Sequence, residues 1–299
     1  MRRALLAALL AAAALPALAV ADSPPPPVAT ISAGPSDPSN SSTASFMFSA
    51  NENDVQFACA LDQEAFSGCT SPLTRAGIPD GRHTFYVVAI KGHDRQQVPS
   101  SWTWTLDTTP PPAVAAPHSS VSYRRLELTW TPSADTDHVV IFRFTGEKQV
   151  TGVAVYSGPA HRYHESKFDN GRYHRYTIVS YDKAGNASPG GAVFVVPSSA
   201  LLTAPAPGTV LHAKRAATLR WRRVPGARYY NVQLYRNGHK VLSAWPVAAR
   251  YRVKQAWTYQ SSRFQLKRGT YTWYVWPSMK PLPKVAYGPI VGQSSFVVR

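Results

Sequence analysis

The sequence predicts an all-β chain made of tandem two-sheet β-sandwiches. After residue 21, runs of β-branched and aromatic residues recur along the 299-residue chain, and Pro, Gly or Asp bounds each run. No segment in this region has a sustained 3.6-residue apolar period, which would indicate a helix. Proline-rich breaks separate segments of about 80–100 residues, which is the size of one such sandwich.

The first 21 residues predict a secretory signal peptide. Arg2-Arg3 forms the charged end, residues 4–15 form the apolar centre, and Ala19-Val20-Ala21 supplies a small-x-small cleavage site. An uncleaved anchor is the alternative, because the apolar run approaches spanning length. Alanine is only weakly hydrophobic, so we expect cleavage before Asp22 and a secreted or cell-surface protein. No later stretch is long and apolar enough to predict a membrane span.

Proline-rich stretches divide the chain after the signal peptide. Residues 22–27 form an extended spacer. Stiff linkers are predicted at DTTPPPAVAAP, residues 107–117, and at VPSSALLTAPAPG, residues 196–208. The predicted domains cover residues 28–109, 110–199 and 200–299.

The two cysteines, Cys59 and Cys69, predict a disulfide in the first domain. An even, closely spaced pair in an exported chain is typical of a disulfide. Closing so short a loop stabilises a fold by about 3 kcal/mol in the chain-entropy model. A structural zinc site would need histidine partners, and no histidine lies within twelve residues of either cysteine. Two free thiols are the alternative.

The net positive charge of the chain, +16, belongs to the third domain. Residues 23–109 contain 4 basic and 8 acidic residues, and residues 110–199 contain 9 basic and 7 acidic residues. Residues 200–299 contain 17 basic residues and no acidic residue. A domain without carboxylates cannot perform carboxylate acid/base chemistry.

Three sets of motifs extend the prediction from fold class to family. The first domain carries VQFACALDQEAFSGCTSP, IPDGRHTF and SSWTWTLDTTPP, which resemble the Ig-like repeat of exported bacterial proteins. The second carries LELTWTPSADTDHVVIFRF and YTIVSYDKAGNAS, which resemble a fibronectin type III domain. The third repeats that scheme in LRW, VPGARYYNVQLYRNG and LKRGTYTWYVWP, with more divergence. The resemblance implies all-β tandem immunoglobulin-like and fibronectin type III β-sandwiches behind a cleavable signal peptide, with no shared catalytic residues.

The resemblance also implies a corner tyrosine, whose hydroxyl ties a late strand to the turn before it. Tyr271 occupies that position in the third domain. In the second domain the corresponding position is occupied by His174, with Tyr173 beside it. The register of that strand therefore stays open.

Strand alternation separates the core side chains of the third domain from the outward ones. In LRW, Leu219 and Trp221 are predicted to face the core. If YYNVQLY and TYTWYVW form neighbouring strands, their outward rings share one exposed sheet face. The predicted outward set consists of the rings Tyr229, Tyr235, Tyr274 and Trp276 and the cations Arg220, Arg222, Arg250, Arg252 and Lys254.

This outward set predicts a ligand-binding surface. Flat rings stack on sugars or nucleobases, and cations bind phosphate or carboxylate polymers through counterion release. The alternative is that the rings cover a neighbouring domain and the arginines keep the protein soluble. A domain charged with one sign repels itself, which argues against solubility as the whole reason.

We therefore expect an exported, non-enzymatic binding or adhesion protein whose third domain contacts an anionic or carbohydrate polymer of the cell surface. The alternative is a structural spacer that assembles with itself or with a larger surface complex, the acidic first domain pairing with the basic third. Export argues against nucleic acid as the partner in vivo. No cofactor is predicted.

The remaining polar clusters do not predict a metal site. HRYHESKFDNGRYH contains His161, His164 and His174, but it supplies no fixed third ligand and no helix of the zinc-protease kind. NEND, residues 51–54, and ADTD, residues 134–137, lack the ordered spacing of a calcium loop and are interpreted as turns.

Overall fold

The structure is a computed structural model that describes residues 26–213, 216–281 and 286–299. Every regular element in these ranges is a β-strand, which confirms the all-β prediction. The predicted signal peptide and most of the spacer lie outside the described residues. Within the described ranges, no helix reaches the length and hydropathy of a membrane span. The chain forms two compact units, one ending at Thr105 and the other comprising Asp37–Ser42 and Leu106–Arg299.

The first sandwich packs one three-stranded sheet against a larger sheet. Its sheets have the orders β1-β2-β5 and β4-β3-β6-β7, with β8 also paired to β6. The strands are Ala29–Ala33 (β1), Ala44–Ala50 (β2), Gln56–Leu61 (β3), Ser67–Cys69 (β4), Leu73–Arg75 (β5), Gly81–Lys91 (β6), Asp94–Arg95 (β7) and Ser100–Leu106 (β8).

Aromatic packing and one disulfide hold the first sandwich together. Phe46 stacks on Phe85 with ring centroids 4.0 Å apart, and Trp104 packs against Phe46 at 5.4 Å. Alternation in β2 buries Phe46, because every second residue of that strand faces the other sheet. The predicted disulfide is confirmed: Cys59 of β3 and Cys69 of β4 are bonded.

The second sandwich has a three-stranded and a four-stranded sheet, in the orders β13-β10-β9 and β12-β11-β14-β15. Its core is built around Trp130, Phe168 and Tyr176. The strands are Ala115–Ser122 (β9), Arg125–Thr131 (β10), His138–Thr145 (β11), Val153–Gly158 (β12), Arg162–Glu165 (β13), His174–Tyr181 (β14) and Ala192–Val196 (β15).

The third sandwich has a three-stranded sheet in the order β16-β18-β21 and a five-stranded sheet in the order β17-β25-β24-β19-β20. A separate hairpin joins β22 to β23. The strands are Leu202–Ala204 (β16), Thr209–Leu211 (β17), Ala217–Trp221 (β18), Tyr229–Arg236 (β19), His239–Ala244 (β20), Arg250–Val253 (β21), Ala256–Tyr259 (β22), Ser262–Gln265 (β23), Gly269–Ser278 (β24) and Gly292–Val298 (β25).

All three sandwiches share one strand order. Strands β1-β2-β5 correspond to β9-β10-β13 and to β16-β18-β21, and β4-β3-β6-β8 correspond to β12-β11-β14-β15 and to β20-β19-β24-β25. This order is that of immunoglobulin-like and fibronectin type III sandwiches, so the predicted fold class is confirmed. The third sandwich adds β17 and the β22–β23 hairpin to this scheme.

The linkers are shorter than predicted, because apolar residues within them join the neighbouring cores. In 107–117, Val114 is buried in the second core and Ala115 begins β9. In 196–208, Leu201 is buried in the third core and Leu202 begins β16. Proline content marked these breaks, but it does not show which residues between the prolines pack.

The second and third sandwiches meet within one compact unit. Val121 packs against the cores of both. Tyr123 donates its hydroxyl hydrogen to the backbone oxygen of Pro289 at 2.8 Å. Burial raises the pKa of Tyr123 to about 12, so the hydroxyl remains a donor at physiological pH.

The corner position is filled in both of these sandwiches, by different residue types. The hydroxyl of Tyr271 donates to the backbone oxygen of Lys267 and accepts the amide of the same residue, both at 3.0 Å. In the second sandwich, Nε2 of His174 lies 2.9 Å from the backbone oxygen of Asp169. A carbonyl oxygen can only accept, so Nε2 is the donor. A histidine therefore takes the place of the corner tyrosine.

His174 should make the stability of this unit depend on pH. Burial lowers the pKa of His174 below its usual value of about 6.5, so the folded chain keeps the ring neutral where the unfolded chain protonates it. The contribution of His174 is therefore complete above that pH and is lost as the pH falls toward the folded pKa. We expect calorimetry to show a lower unfolding midpoint at pH 5 than at pH 7.5.

His174→Tyr should reduce this loss, because a tyrosine hydroxyl can make the corner bond without titrating in that range. His118→Gln serves as the control, since His118 is exposed and should leave the loss unchanged. The same loss in His174→Tyr as in the natural chain would contradict the assignment.

Candidate functional site: the outer faces of the third sandwich

The two sheets of the third sandwich place the predicted cations and rings on opposite faces. Leu219 and Trp221 of β18 and Trp273 of β24 lie in one core between the sheets. Because side chains alternate along a strand, Arg220 faces outward from the three-stranded sheet. Tyr274 faces outward from the five-stranded sheet for the same reason. The single predicted surface is therefore two surfaces.

Three exposed arginines lie together on the three-stranded sheet, and we call Arg220, Arg250 and Arg252 the arginine face. Arg220 lies directly opposite Arg250 in the antiparallel pairing of β18 with β21, and Thr218 lies opposite Arg252. These residues line a shallow depression of about 350 Å³. The pairing register thus brings together arginines that are thirty residues apart in the sequence.

No acidic residue neutralises the arginine face from within its own domain. Residues 200–299 contain no Asp or Glu. The ion pairs between described residues all lie within residues 52–172. Like charges directly opposite each other on a sheet are destabilising, so this arrangement carries a cost in folding free energy.

The second sandwich offers an internal comparison, since β10 and β13 occupy the places of β18 and β21. There Thr129 lies opposite Arg162. The Nε of Arg162 lies 3.4 Å from Oε1 of Glu127, so that arginine has a counter-charge. Aligning LTW with LRW puts Arg220 at the position of Thr129 and Thr218 at that of Glu127. The same sheet carries an ion pair in one sandwich and only cations among its charged residues in the other.

Two of the predicted cations do not belong to the arginine face. Nη1 of Arg222 donates to the backbone oxygen of Val121 at 3.3 Å, which places this residue at the junction with the second sandwich. Arg222 is exposed, as alternation predicts, but its contact with Val121 sets it apart from the three arginines of the arginine face, and its role in binding stays a prediction. Lys254 is exposed and follows β21 by one residue.

Three of the four predicted rings form a continuous cluster on the five-stranded sheet, and we call Tyr235, Tyr274 and Trp276 the aromatic face. Tyr235 and Tyr274 meet edge to face with ring centroids 5.4 Å apart. Tyr274 stacks on Trp276 at 5.8 Å. All three rings are half-buried, so each presents part of its surface to solvent.

The fourth ring, Tyr229, is buried, and the prediction of an outward, exposed Tyr229 was wrong. Only 2% of its surface is exposed. The chain after β24 folds back so that Tyr287 pairs with Ser278, and the ring of Tyr287 packs edge-on against Tyr229 at 6.4 Å. That segment covers the end of the sheet.

Two exposed rings escaped the sequence analysis. Trp245 is 50% exposed, and its Nε1 donates to the hydroxyl of Tyr287 at 2.8 Å. Trp245 directly follows β20, and Tyr287 lies in the connection between β24 and β25, where alternation gives no information. A search for aromatic residues in turns would have found them.

The histidines of the second sandwich are dispersed. His174 is the buried corner residue, whereas His164 lies on β13 opposite Glu127. Among the described residues, no group of three or more His, Cys, Asp or Glu lies together as a metal site requires.

No family model and no curated protein matches this chain. Solved structures that match include a two-domain fibronectin type III segment of chicken tenascin, 16% identical, covering 58% of this chain and 99% of that one, with a TM-score of 0.27. Domains A168–A170 of titin are 13% identical and cover 57% of this chain and 66% of that one, with a TM-score of 0.40. The fibronectin(III)-like modules of Clostridium thermocellum CbhA are 16% identical and cover 56% and 92%, with a TM-score of 0.38.

The tenascin and CbhA structures consist of fibronectin type III or fibronectin(III)-like modules. At such identities and TM-scores they carry no argument about function. The fold assignment rests on the strand order of the chain itself.

Replacing Arg250 with Glu should stabilise the third sandwich, because the new carboxylate would face Arg220 across two strands. Exchanging a like-charge pair for an opposite-charge pair should raise the free energy of unfolding by roughly 0.5–1 kcal/mol. Thermal unfolding measures the gain. The gain in the free energy of unfolding should be smaller in 1 M NaCl, because the Debye screening length there is only about 3 Å.

Arg228→Glu is the matched control, since Arg228 is exposed, precedes β19 and lies outside the arginine face. Arg228→Glu changes the net charge by the same amount as Arg250→Glu, but it should raise the free energy of unfolding less. Equal gains in the two variants would show that net charge, rather than the Arg220–Arg250 pair, determines the effect.

Proposed function

We propose that this protein is a non-enzymatic binding protein whose third sandwich contacts an anionic polymer through the arginine face. The observation that carries the proposal is the register that sets exposed Arg220 opposite exposed Arg250 in a domain without carboxylates. A polymer of carboxylates, sulfates or phosphates would supply the counter-charges that the domain lacks. Binding would also release the counterions condensed on such a polymer, which drives association.

The chemistry of arginine supports this ligand class. The guanidinium presents a planar fork of donors that matches the two oxygens of a carboxylate or phosphate group. Three such groups in one shallow depression can contact successive charges along a chain. The open shape suits a polymer that passes across the sheet, whereas an enzyme site is usually a deeper cleft.

The proposed location follows from the predicted signal peptide. An exported chain meets the charged polymers of the cell envelope or external polysaccharides, so we place the ligand there. Sandwich modules of this kind serve binding or spacer roles. The aromatic face on the opposite sheet adds a surface on which neutral sugar rings of the same material can stack.

Binding should depend on the arginine face and on salt. The test uses the chain from Asp22 to Arg299 with polygalacturonate and heparin as anionic probes and dextran as the neutral one. Changing Arg220, Arg250 and Arg252 to Gln should weaken binding to the anionic probes at least about tenfold at 50 mM NaCl. It should also lower the salt slope by about 1 per arginine.

The control variant removes the same charge elsewhere in the domain, at the exposed residues Arg228, Lys280 and Arg299. It should retain most of the affinity. Equal losses in the two variants, or dextran bound as well as the anionic probes, would overturn the proposal.

Segregation of charge favours one alternative, which is head-to-tail assembly of this protein with itself. Residues 23–109 carry a net charge of −4 and residues 200–299 a net charge of +17, so the two ends of different molecules attract. Sedimentation velocity would then show association that increases with concentration and disappears in 0.5 M NaCl. A monomer at every concentration and salt would exclude this role.

A further inference from the structure

The β22–β23 hairpin, which has no counterpart among the strands of the second sandwich, forms one wall of a cavity. The cavity measures about 250 Å³ and lies between this hairpin and the turn that joins β19 to β20. We call it the hairpin pocket. Its lining includes Arg236, Trp257, Arg263, Phe264, Lys267 and Tyr271. None of these residues belongs to the arginine face or the aromatic face.

The hairpin wall of the pocket is rigidly built. Gln260 and Ser261 both have positive φ, 47° and 62°, as in the tight mirror-image turns that match strand twist. Trp257 lies opposite Phe264, and their rings stack with centroids 6.2 Å apart. Nε1 of Trp257 donates to the backbone oxygen of Val241 at 2.7 Å, which attaches the hairpin to β20.

The facing wall holds one arginine in a fixed position. Nη2 of Arg236 donates to the backbone oxygen of Arg268 at 2.7 Å, and its Cζ lies 6.0 Å from the ring centroid of Tyr271. Nε of Arg236 is buried and has no hydrogen-bond partner among the described residues. The guanidinium is therefore held in place through Nη2, while Nε has no hydrogen-bond acceptor among the described residues.

Charge and rings are combined in this pocket. Arg236, Arg263 and Lys267 contribute positive charge, and the domain contains no carboxylate to offset it. Trp257 and Phe264 contribute apolar ring surface. A cavity lined by both cations and flat apolar groups matches a small ring that carries an oxyanion.

We propose that the hairpin pocket binds one anionic sugar residue, which is a single ring bearing a carboxylate or a phosphate group. Arg263 and Lys267 hold the oxyanion together with Arg236, and the stacked rings of the hairpin contact the sugar face. The pocket is concave and has room for one ring, whereas the arginine face is open. The two sites can therefore be tested separately.

Isothermal titration of the chain from Asp22 to Arg299 tests the proposal with small probes. Glucuronate presents a carboxylate, glucose 6-phosphate presents a phosphate, and glucose presents neither. Binding of one or both anionic sugars with no binding of glucose supports the site and identifies the oxyanion. Glucose bound equally well, or no sugar bound, overturns it. Inorganic phosphate bound as tightly as glucose 6-phosphate would overturn the role of the rings.

Two variants separate this pocket from the arginine face. Arg263→Gln with Lys267→Gln should weaken binding of the anionic sugar at least about fivefold, and both side chains are exposed, so the fold should be retained. The arginine-face variant at Arg220, Arg250 and Arg252 should change sugar binding less than about twofold. An unchanged affinity in the pocket variant, or equal losses in both, would overturn the proposal while leaving the polymer test to stand on its own result.

Discussion

Burial of large rings between two sheets is the constraint on which the surfaces of the third sandwich depend. Trp221 packs edge to face against Tyr230 at 5.1 Å and tilts against Trp273 at 6.4 Å. Side chains alternate along a strand, so fixing Trp221 inside fixes Arg220 outside. A one-residue slip of β18 would bury the guanidinium and expose the indole, and the desolvation of the charge forbids that exchange. The core therefore sets the geometry of the arginine face.

The fold itself does not require cations on this sheet. The second sandwich builds the same strand order with Glu127 and Arg162 in ion-pairing distance on the corresponding face. Arg143 of its other sheet is paired as well, since its Nη1 donates across the sandwich to Glu165 of β13 at 2.8 Å. The second sandwich shows that this fold can pair the arginine of this face with a carboxylate. The unpaired arginines of the third sandwich are therefore not needed for folding. They are a property of its surface, and the function of a sandwich module resides in its surface sites.

The sequence predicted side-chain exposure correctly where the alternation of a single strand determines it. The prediction failed where a different part of the chain covers the side chain. The exposure of Arg220, Arg250 and Arg252 followed from alternation alone. The burial of Tyr229 was missed because the segment around Tyr287 covers it. The contact of the exposed Arg222 with Val121 was not foreseen because it depends on a second domain. The hairpin pocket was missed because the Gln260-Ser261 turn between AWTY and SRFQ lacks the Asn-Gly or Asp-Gly pair that marks a two-residue hairpin loop. The predicted domain boundaries and ligand remain predictions.

The position of the hairpin explains how one scaffold can carry an added site. The second sandwich connects β13 to β14 through residues 166–173, and the third connects β21 to β24 through residues 254–268. The longer connection leaves the sandwich after β21, forms the hairpin and returns through Leu266, which is buried in the core. Within the insertion, Trp257 and Phe264 pack against the sandwich core, whereas Arg263 and Lys267 are exposed. The insertion therefore adds rings by extending the burial that holds the sheets together, and it adds cations at positions that this burial does not use.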